Sequence, residues 1–255
     1  MTPVRPEFVP DAALSRGEME ALQRDIADAA AFENDLPFDP ATVAEGPLST
    51  PGAAPPTVVG VDQAFLDERA VSAVVAMRDG EVIERAHAAT PLEIPYIPGL
   101  LSFREGRSIL AAFEELDATP DLALFDGSGR IHFRQAGLAT HIGVCLDLPS
   151  VGVAKSLLCG TPRSSVDGLP EGARVAVEAD GDVDAPDGTV IGYAVQSRQY
   201  DSGSTSINPL YVSPGHRVDA ETAADLVEGL GGEYKLPEPT RLADAYADEV
   251  KAELG

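Results

Sequence analysis

DLALFDGSGRIHFRQAGLATHIGVCLDLPSVGVAKS, residues 121–156, decides the fold of this chain. Its first residues, DLALFDG, form a short apolar run closed by Asp126 and Gly127, the pattern of a buried strand. ATHIGVCLD (139–147) then reads as a helix, and SVGVAK (150–155) as a second buried strand ending at Lys155. Strand, helix, strand in this order implies a sheet with helices on its faces.

Upstream, TVVGVD (57–62) is an apolar run ending at Asp62. VSAVVAMRDGEVIERAHA (71–88) places two strand-like runs around Asp79 and Gly80, a strong hairpin signal. A helix is predicted from about Glu105 to Leu116, with Ile109, Leu110, Phe113 and Leu116 on one face. Three antiparallel strands followed by helix, strand, helix, strand is the ribonuclease H-like order. The expected fold is therefore α/β, a ribonuclease H-like mixed β-sheet flanked by helices. Downstream, ARVAVEADGD and TVIGYAVQSR predict a further hairpin. NPLYVSPGH leads into a helix at 220–229, and RLADAYADEVKAEL (241–254) closes as an amphipathic helix.

The first 45 residues are predicted to be a helical extension and linker, with 46–255 as the main domain. Ser15 and Glu18 make a possible capping box, and Met19, Leu22, Ile26 and Ala29 recur at helical spacing. LPFDPATVAEGPLSTPGAAPPT (35–56) is rich in proline and small residues, as a linker or surface-hugging segment would be. No internal repeat is present.

Forty-two acidic against 18 basic residues give a net charge of −24, and lysine occurs only at 155, 235 and 251. A hydrophobic content of 44% with periodic segments argues for a folded chain rather than a disordered acidic one. A carboxylate-rich surface suits a halophilic cytoplasm, where it stays hydrated and soluble. Such a charge normally opposes nucleic-acid binding, but screening reduces its reach to about 3 Å in molar salt. Nucleic acid is therefore not excluded. Two cysteines, Cys145 and Cys159, cannot form a four-thiolate zinc site and read as buried thiols in a reducing compartment. No apolar run approaches the roughly 18 residues of a membrane span, and no signal-peptide core is seen, so a soluble cytoplasmic protein is expected.

Asp62, Glu105 and Asp126 each have an ordinary explanation alone: a strand-ending turn for the aspartates, a helix N-terminus for the glutamate. In a sheet of the expected kind, however, the first strand and the strand after the helix lie side by side. Their C-terminal ends bring Asp62 and Asp126 together, with Glu105 nearby. Crowded carboxylates call for a divalent cation, and Mg²⁺, with Mn²⁺ as a substitute, suits an all-oxygen site. The cation would activate water and stabilise the leaving oxygen, which makes a metal-assisted phosphodiester hydrolase the expected chemistry. Lys155 would supply a point charge for the phosphate. His216 reads either as a turn histidine capping the helix that starts near Asp219 or as a group that orients or deprotonates water. His132 and His141 flank a second stretch of interest, with His141 equally readable as a satisfied helix-face histidine, and His87 reads as structural. In PYIPG (95–99) the prolines restrict the backbone around Tyr96, which is either packed beneath the loop or held out from the surface.

PYIPGLLSFREG (95–106), LFDGSGRIHFRQAGLATHIG (124–143), PSVGVAKS (149–156), GVD and YVSPGH together resemble the endonuclease V, or deoxyinosine 3′-endonuclease, family over roughly residues 55–247. The resemblance implies metal-binding and catalytic acids at Asp62, Glu105 and Asp126, a remaining active-site residue at His216, and a family lysine at Lys155. It implies that Tyr96 is a wedge in the base stack beside a flipped-out base. It assigns Gly99, Leu100, Leu101, Gly137 and Leu138 to the hypoxanthine pocket. The partner would be inosine-containing DNA, cut by a monomer at the second bond 3′ to the lesion to leave 3′-hydroxyl and 5′-phosphate ends. Two positions depart from the family pattern: Ser128 replaces the histidine of DGHG, and Phe133 replaces the proline of HPR. Three other readings stay open. An enzyme acting mainly on inosine in RNA is one, because a few backbone contacts decide whether a 2′-hydroxyl is accepted. A non-cleaving lesion-binding protein would have lost a site acid, whereas all three are present. The last is a halophilic domain whose acids only hydrate its surface.

Overall fold

The structure, a computed structural model, describes residues 1–44, 54–200 and 206–255. Helix α1 (Arg16–Ala29) and the short α2 (Ala41–Ala44) precede an antiparallel meander of β1 (Thr57–Leu66), β2 (Arg69–Arg78) and β3 (Glu81–Pro91). Asp79 and Gly80 both have positive φ, 53° and 76°, which is the two-residue turn that matches strand twist. Then come α3 (Leu101–Glu114), β4 (Leu122–Asp126), α4 (Leu138–Leu146) and β5 (Ser150–Ala154). The chain continues through β6 (Thr161–Pro162), β7 (Arg174–Glu178), β8 (Val190–Val195) and β9 (Leu210–His216), and ends in α5 (Ala220–Gly229) and α6 (Glu238–Leu254).

Among the described residues nine strands form one sheet in the order β3-β2-β1-β4-β5-β9-β8-β7-β6. β1, β4 and β5 are parallel to one another, as the ribonuclease H-like reading requires. The β7–β8 hairpin extends the same sheet through β9, which runs antiparallel to β5.

Alternation along the strands separates two apolar layers. Val59, Val61, Ala123 and Phe125 face Ile109 and Phe113 of α3 and Ile142 of α4. Val58, Leu122 and Leu124 face α5 through Ala223, Leu226 and Val227. On that second face α6 lies against β1 and β2, packing Ala243, Ala247 and Val250 on Val71, Ala73 and Val75. Gly60 permits this contact, since a Cβ there would come within 1.9 Å of the Pro239 carbonyl oxygen.

The expected capping box is present at α1. Ser15 Oγ accepts from the Glu18 N–H, and Glu18 Oε2 accepts from the Ser15 N–H. Met19 and Ile26 are buried against residues of the α3 and α4 regions, so α1 packs onto the α3–α4 layer. Part of the predicted linker, 45–53, lies outside the described residues. Cys145 and Cys159 are free and buried, and burial pushes their thiols up to about 11 and about 12. Among the described residues no helix is long and apolar enough to cross a membrane.

Candidate active site

β1 and β4 pair in parallel up to Val61 opposite Phe125, so the next residues in that register are Asp62 and Asp126. Asp62 is not the end of its strand, as the sequence suggested; β1 runs on to Leu66 because it keeps pairing with β2. Glu105 likewise does not open its helix. α3 starts four residues earlier, at Leu101, so Glu105 sits in the second turn and is buried. The helix-terminus explanation for this carboxylate therefore does not apply.

Asp62 and Glu105 are only 5% and 4% exposed. Burial pushes the Asp62 carboxyl up to about 8, the negative charge of Asp126 adds to this, and the Gln63 N–H and Lys155 oppose it. Glu105 is also pushed up to about 8, chiefly by burial, with Arg104 opposing and Asp126 adding. Lys155 follows β5, and its Nζ donates to Asp126 Oδ2 at 2.8 Å. Burial and then repulsion from Lys155 hold the Lys235 ammonium down.

A fourth carboxylate joins them that sequence reading missed. Asp244 of α6 lies 3.7 Å from Lys155 Nζ and contacts Asp62. Its one sequence signal is its place beside Ala243, a residue of the buried α6 stripe. In a chain with 42 acidic residues that signal does not stand out.

The donor set is all oxygen and includes two buried carboxyls that need a positive charge to ionise, which fits a hard divalent cation. Among the described residues no group of three Asp, Glu, His or Cys side chains is arranged to hold a metal ion by itself. Water and phosphate oxygens would therefore complete the shell, as is usual for Mg²⁺.

His216 is elsewhere. β9 runs antiparallel to β5, so His216 pairs with Ser150 at the start of β5, while Asp126 pairs with Val153 near its end. At about 3.3 Å per residue, that sets His216 roughly 10 Å or more along the sheet from the acids. Its Nδ1 accepts from the Ala31 N–H at 3.2 Å, and its Nε2–H donates to Asp147 Oδ1 at 3.1 Å. These bonds join the N-terminal segment to the sheet and leave His216 apart from the acids it was expected to accompany. Proline and glycine in SPGH read as a turn, but pairing with β5 holds them in the strand.

The other histidines are also fixed by partners. His132 Nε2–H donates to the Gly99 carbonyl at 3.0 Å, and its Nδ1 accepts from the Arg134 N–H. His141 Nε2–H donates to the Phe8 carbonyl, and its Nδ1 accepts from the Ser102 hydroxyl. Burial pushes both down to about 4. His87 Nδ1 meets the Tyr246 hydroxyl at 2.8 Å.

A cavity of about 310 Å³ opens between the acids and the 95–101 and 136–138 segments. Tyr96, Gly99, Leu101, Gly137 and Leu138 line it with Asp62, Glu105, Asp126 and Lys155. Leu100 does not. Its side chain is buried with Met19 and Phe103, because Leu100 precedes the first turn of α3 and turns into the core. Tyr96 is 65% exposed, which excludes packing beneath the loop. Ser128 lines the cavity, and Phe133 sits against Gly99. A larger cavity of about 500 Å³ lies by the β2–β3 turn and the start of α6, away from these acids.

The family model for endonuclease V matches residues 45–245. The endonuclease V of Haloarcula marismortui is 62% identical over 264 residues, covering 98% of this chain and 97% of that protein. Among solved structures, endonuclease V from Streptomyces avermitilis superposes with a TM-score of 0.76 at 30% identity, covering 100% of this chain and 99% of that one. Ciona intestinalis endonuclease V, in complex with a 24mer DNA containing an inosine followed by a ribo-adenosine, has a TM-score of 0.70 at 24% identity. That match covers 94% of this chain and 98% of the other.

Proposed function

This chain belongs to the endonuclease V family, and we propose from that membership that it nicks DNA at the second phosphodiester bond 3′ to deoxyinosine, using Mg²⁺ with Mn²⁺ able to substitute. The observation that carries this reading is one cavity with two kinds of wall. Acids and a lysine line one side, and an exposed tyrosine with small-residue backbone lines the other. The Ciona relative bound to inosine-containing DNA supports the choice of lesion.

In this reading the damaged nucleotide leaves the stack and its base enters the cavity, while Tyr96 fills the gap it leaves. Gly99 and Gly137 let the backbone approach the base edge, with Leu101 and Leu138 forming apolar walls. Lys155 holds the scissile phosphate. Asp62 and Asp126 would hold the cation, and Asp244 keeps Lys155 in place. Bound there, a divalent cation supplies phosphoryl polarisation and lowers the pKa of water. Glu105, buried near Asp126, would take a proton from the attacking water. The water oxygen bonds to phosphorus, the bond from phosphorus to the 3′ oxygen breaks, and that oxygen takes a proton from solvent water to leave as a hydroxyl.

The −24 charge and the likeness to haloarchaeal relatives support an enzyme working in a concentrated-salt cytoplasm. A strand-resolved nicking assay on an inosine-containing duplex in molar KCl, with and without Mg²⁺, tests the proposal. Cleavage of an inosine RNA oligonucleotide in preference to the duplex would replace the DNA reading with the RNA one. No Mg²⁺-dependent nick in either would remove both.

A further inference from the structure

The N-terminal extension delivers one polar side chain to the wall of this cavity. Gln23 of α1 is 1% exposed and makes three hydrogen bonds. Its Nε2 donates to the Gly99 carbonyl at 2.9 Å and to the Ala136 carbonyl at 3.4 Å, while its Oε1 accepts from Arg134 Nε–H at 2.7 Å. These partners fix the amide's orientation, because the flipped amide would turn an acceptor toward two carbonyls and a donor toward a guanidinium.

Gly99 and Ala136 belong to the two segments that bound the base side of the cavity. Gly99 follows the Tyr96 loop and leads into α3, and Ala136 precedes Gly137 at the start of α4. Neither helix has a side-chain N-cap of its own. The Gly99 carbonyl also accepts from His132 Nε2–H at 3.0 Å and from Arg134 Nη2–H at 3.4 Å. Three donors thus meet on one carbonyl, at a residue whose φ of +79° no ordinary side chain adopts easily. A fully satisfied buried network of this kind selects a single arrangement, and a partly satisfied one loses it.

We propose that Gln23 is a positioning residue for lesion recognition: it pins the 97–101 and 136–138 segments at the spacing the flipped base requires. The inference rests on reading the cavity as the lesion pocket. It gives α1, which lies before the matched family segment, a part in specificity. Recognition by backbone groups is only as selective as their placement, and an error of about 1 Å can cost about a hundredfold.

The test uses the full chain and two variants. Gln23→Met keeps length and apolar bulk but removes every hydrogen bond. Gln23→Glu keeps the pairing with Arg134 but turns a carboxylate oxygen toward two carbonyls. Both should fold by circular dichroism in molar KCl. Both should lower the preference for inosine over adenine in kcat/KM by at least about tenfold, with the loss in KM rather than kcat. Hydrogen exchange of peptides covering 97–101 and 136–138 should quicken in both. Parent-like preference in a folded variant, or unchanged exchange there, would overturn the inference. A parent enzyme with no inosine preference would overturn the reading of the pocket instead, and the exchange measurement would still decide whether Gln23 is a clamp.

Discussion

Glu105→Gln should make the metal-free protein more stable at neutral pH while ending its cleavage activity. In the folded chain burial holds this carboxyl at about 8, against 4.5 in an open chain. Between those values the unfolded chain has given up a proton that the folded chain keeps, so the parent loses stability as pH rises from 4.5 towards 8. At 1.36 kcal/mol per pH unit, the loss by pH 7 is on the order of 3 kcal/mol. Glutamine has the shape of the protonated acid and does not titrate, so the variant escapes that loss. The two proteins should match near pH 4.5, diverge to about 3 kcal/mol by pH 7, and stop diverging above pH 8. Guanidinium unfolding in molar KCl with chelator, at pH 5, 6, 7 and 8, measures the difference directly. Salt should not erase it, because the main cause is burial rather than distant charge. Adding Mg²⁺ should narrow the gap, because a cation held by Asp62 and Asp126 favours the ionised form of the neighbouring Glu105 in the parent. A gap that does not depend on pH, or a variant less stable than the parent at pH 7, would refute the reasoning.

Asp126→Asn should fold yet lose Mg²⁺-dependent nicking by roughly a hundredfold or more, since even outer-shell partners of a metal are worth 10–100-fold; near-normal cleavage would remove Asp126 from the metal site. By contrast, His216→Gln should keep the chemical step within about threefold in single-turnover assays, as its partners are Ala31 and Asp147; a loss of two orders of magnitude in a folded variant would return His216 to the catalytic set. Tyr96→Ala should weaken binding to an inosine duplex by about tenfold to a hundredfold, from the ~1–3 kcal/mol of a base stacked on an aromatic ring, measurable by fluorescence anisotropy; parent-like binding would leave Tyr96 without a stacking role. Activity at fixed Mg²⁺ should rise from ~0.1 M KCl into the molar range as repulsion between the −24 chain and DNA is screened; steady decline in a protein shown folded at each salt concentration would contradict this.

The order of elements was legible because each carries a local signal. Asp79 and Gly80 mark a turn that needs positive φ twice, and the runs at 57–62, 121–126 and 150–155 are short, apolar and punctuated. That order alone brought Asp62 and Asp126 side by side, since β1 and β4 run parallel and Asp126 closes β4 beside the middle of β1. The capping box of α1 and its apolar stripe were readable for the same reason. Ends of elements were less so: α3 takes in Leu101 to Arg104 because Phe103 buries against α1, which is packing between segments distant in sequence.

Tertiary structure decided who meets whom. His216 looked like a turn residue beside the site, but the antiparallel direction of β9 carries it to the other end of the sheet. Asp244 enters the site only because α6 packs across β1 over Gly60 and brings it to Lys155. Gln23 is one polar residue on an amphipathic helix until α1 docks and its amide reaches Gly99 and Ala136. Turn chemistry and hydrophobic period act over a few residues, so a sequence displays them directly. The site depends on strand direction and on which faces bury each other, and those are settled by contacts between residues far apart in the chain.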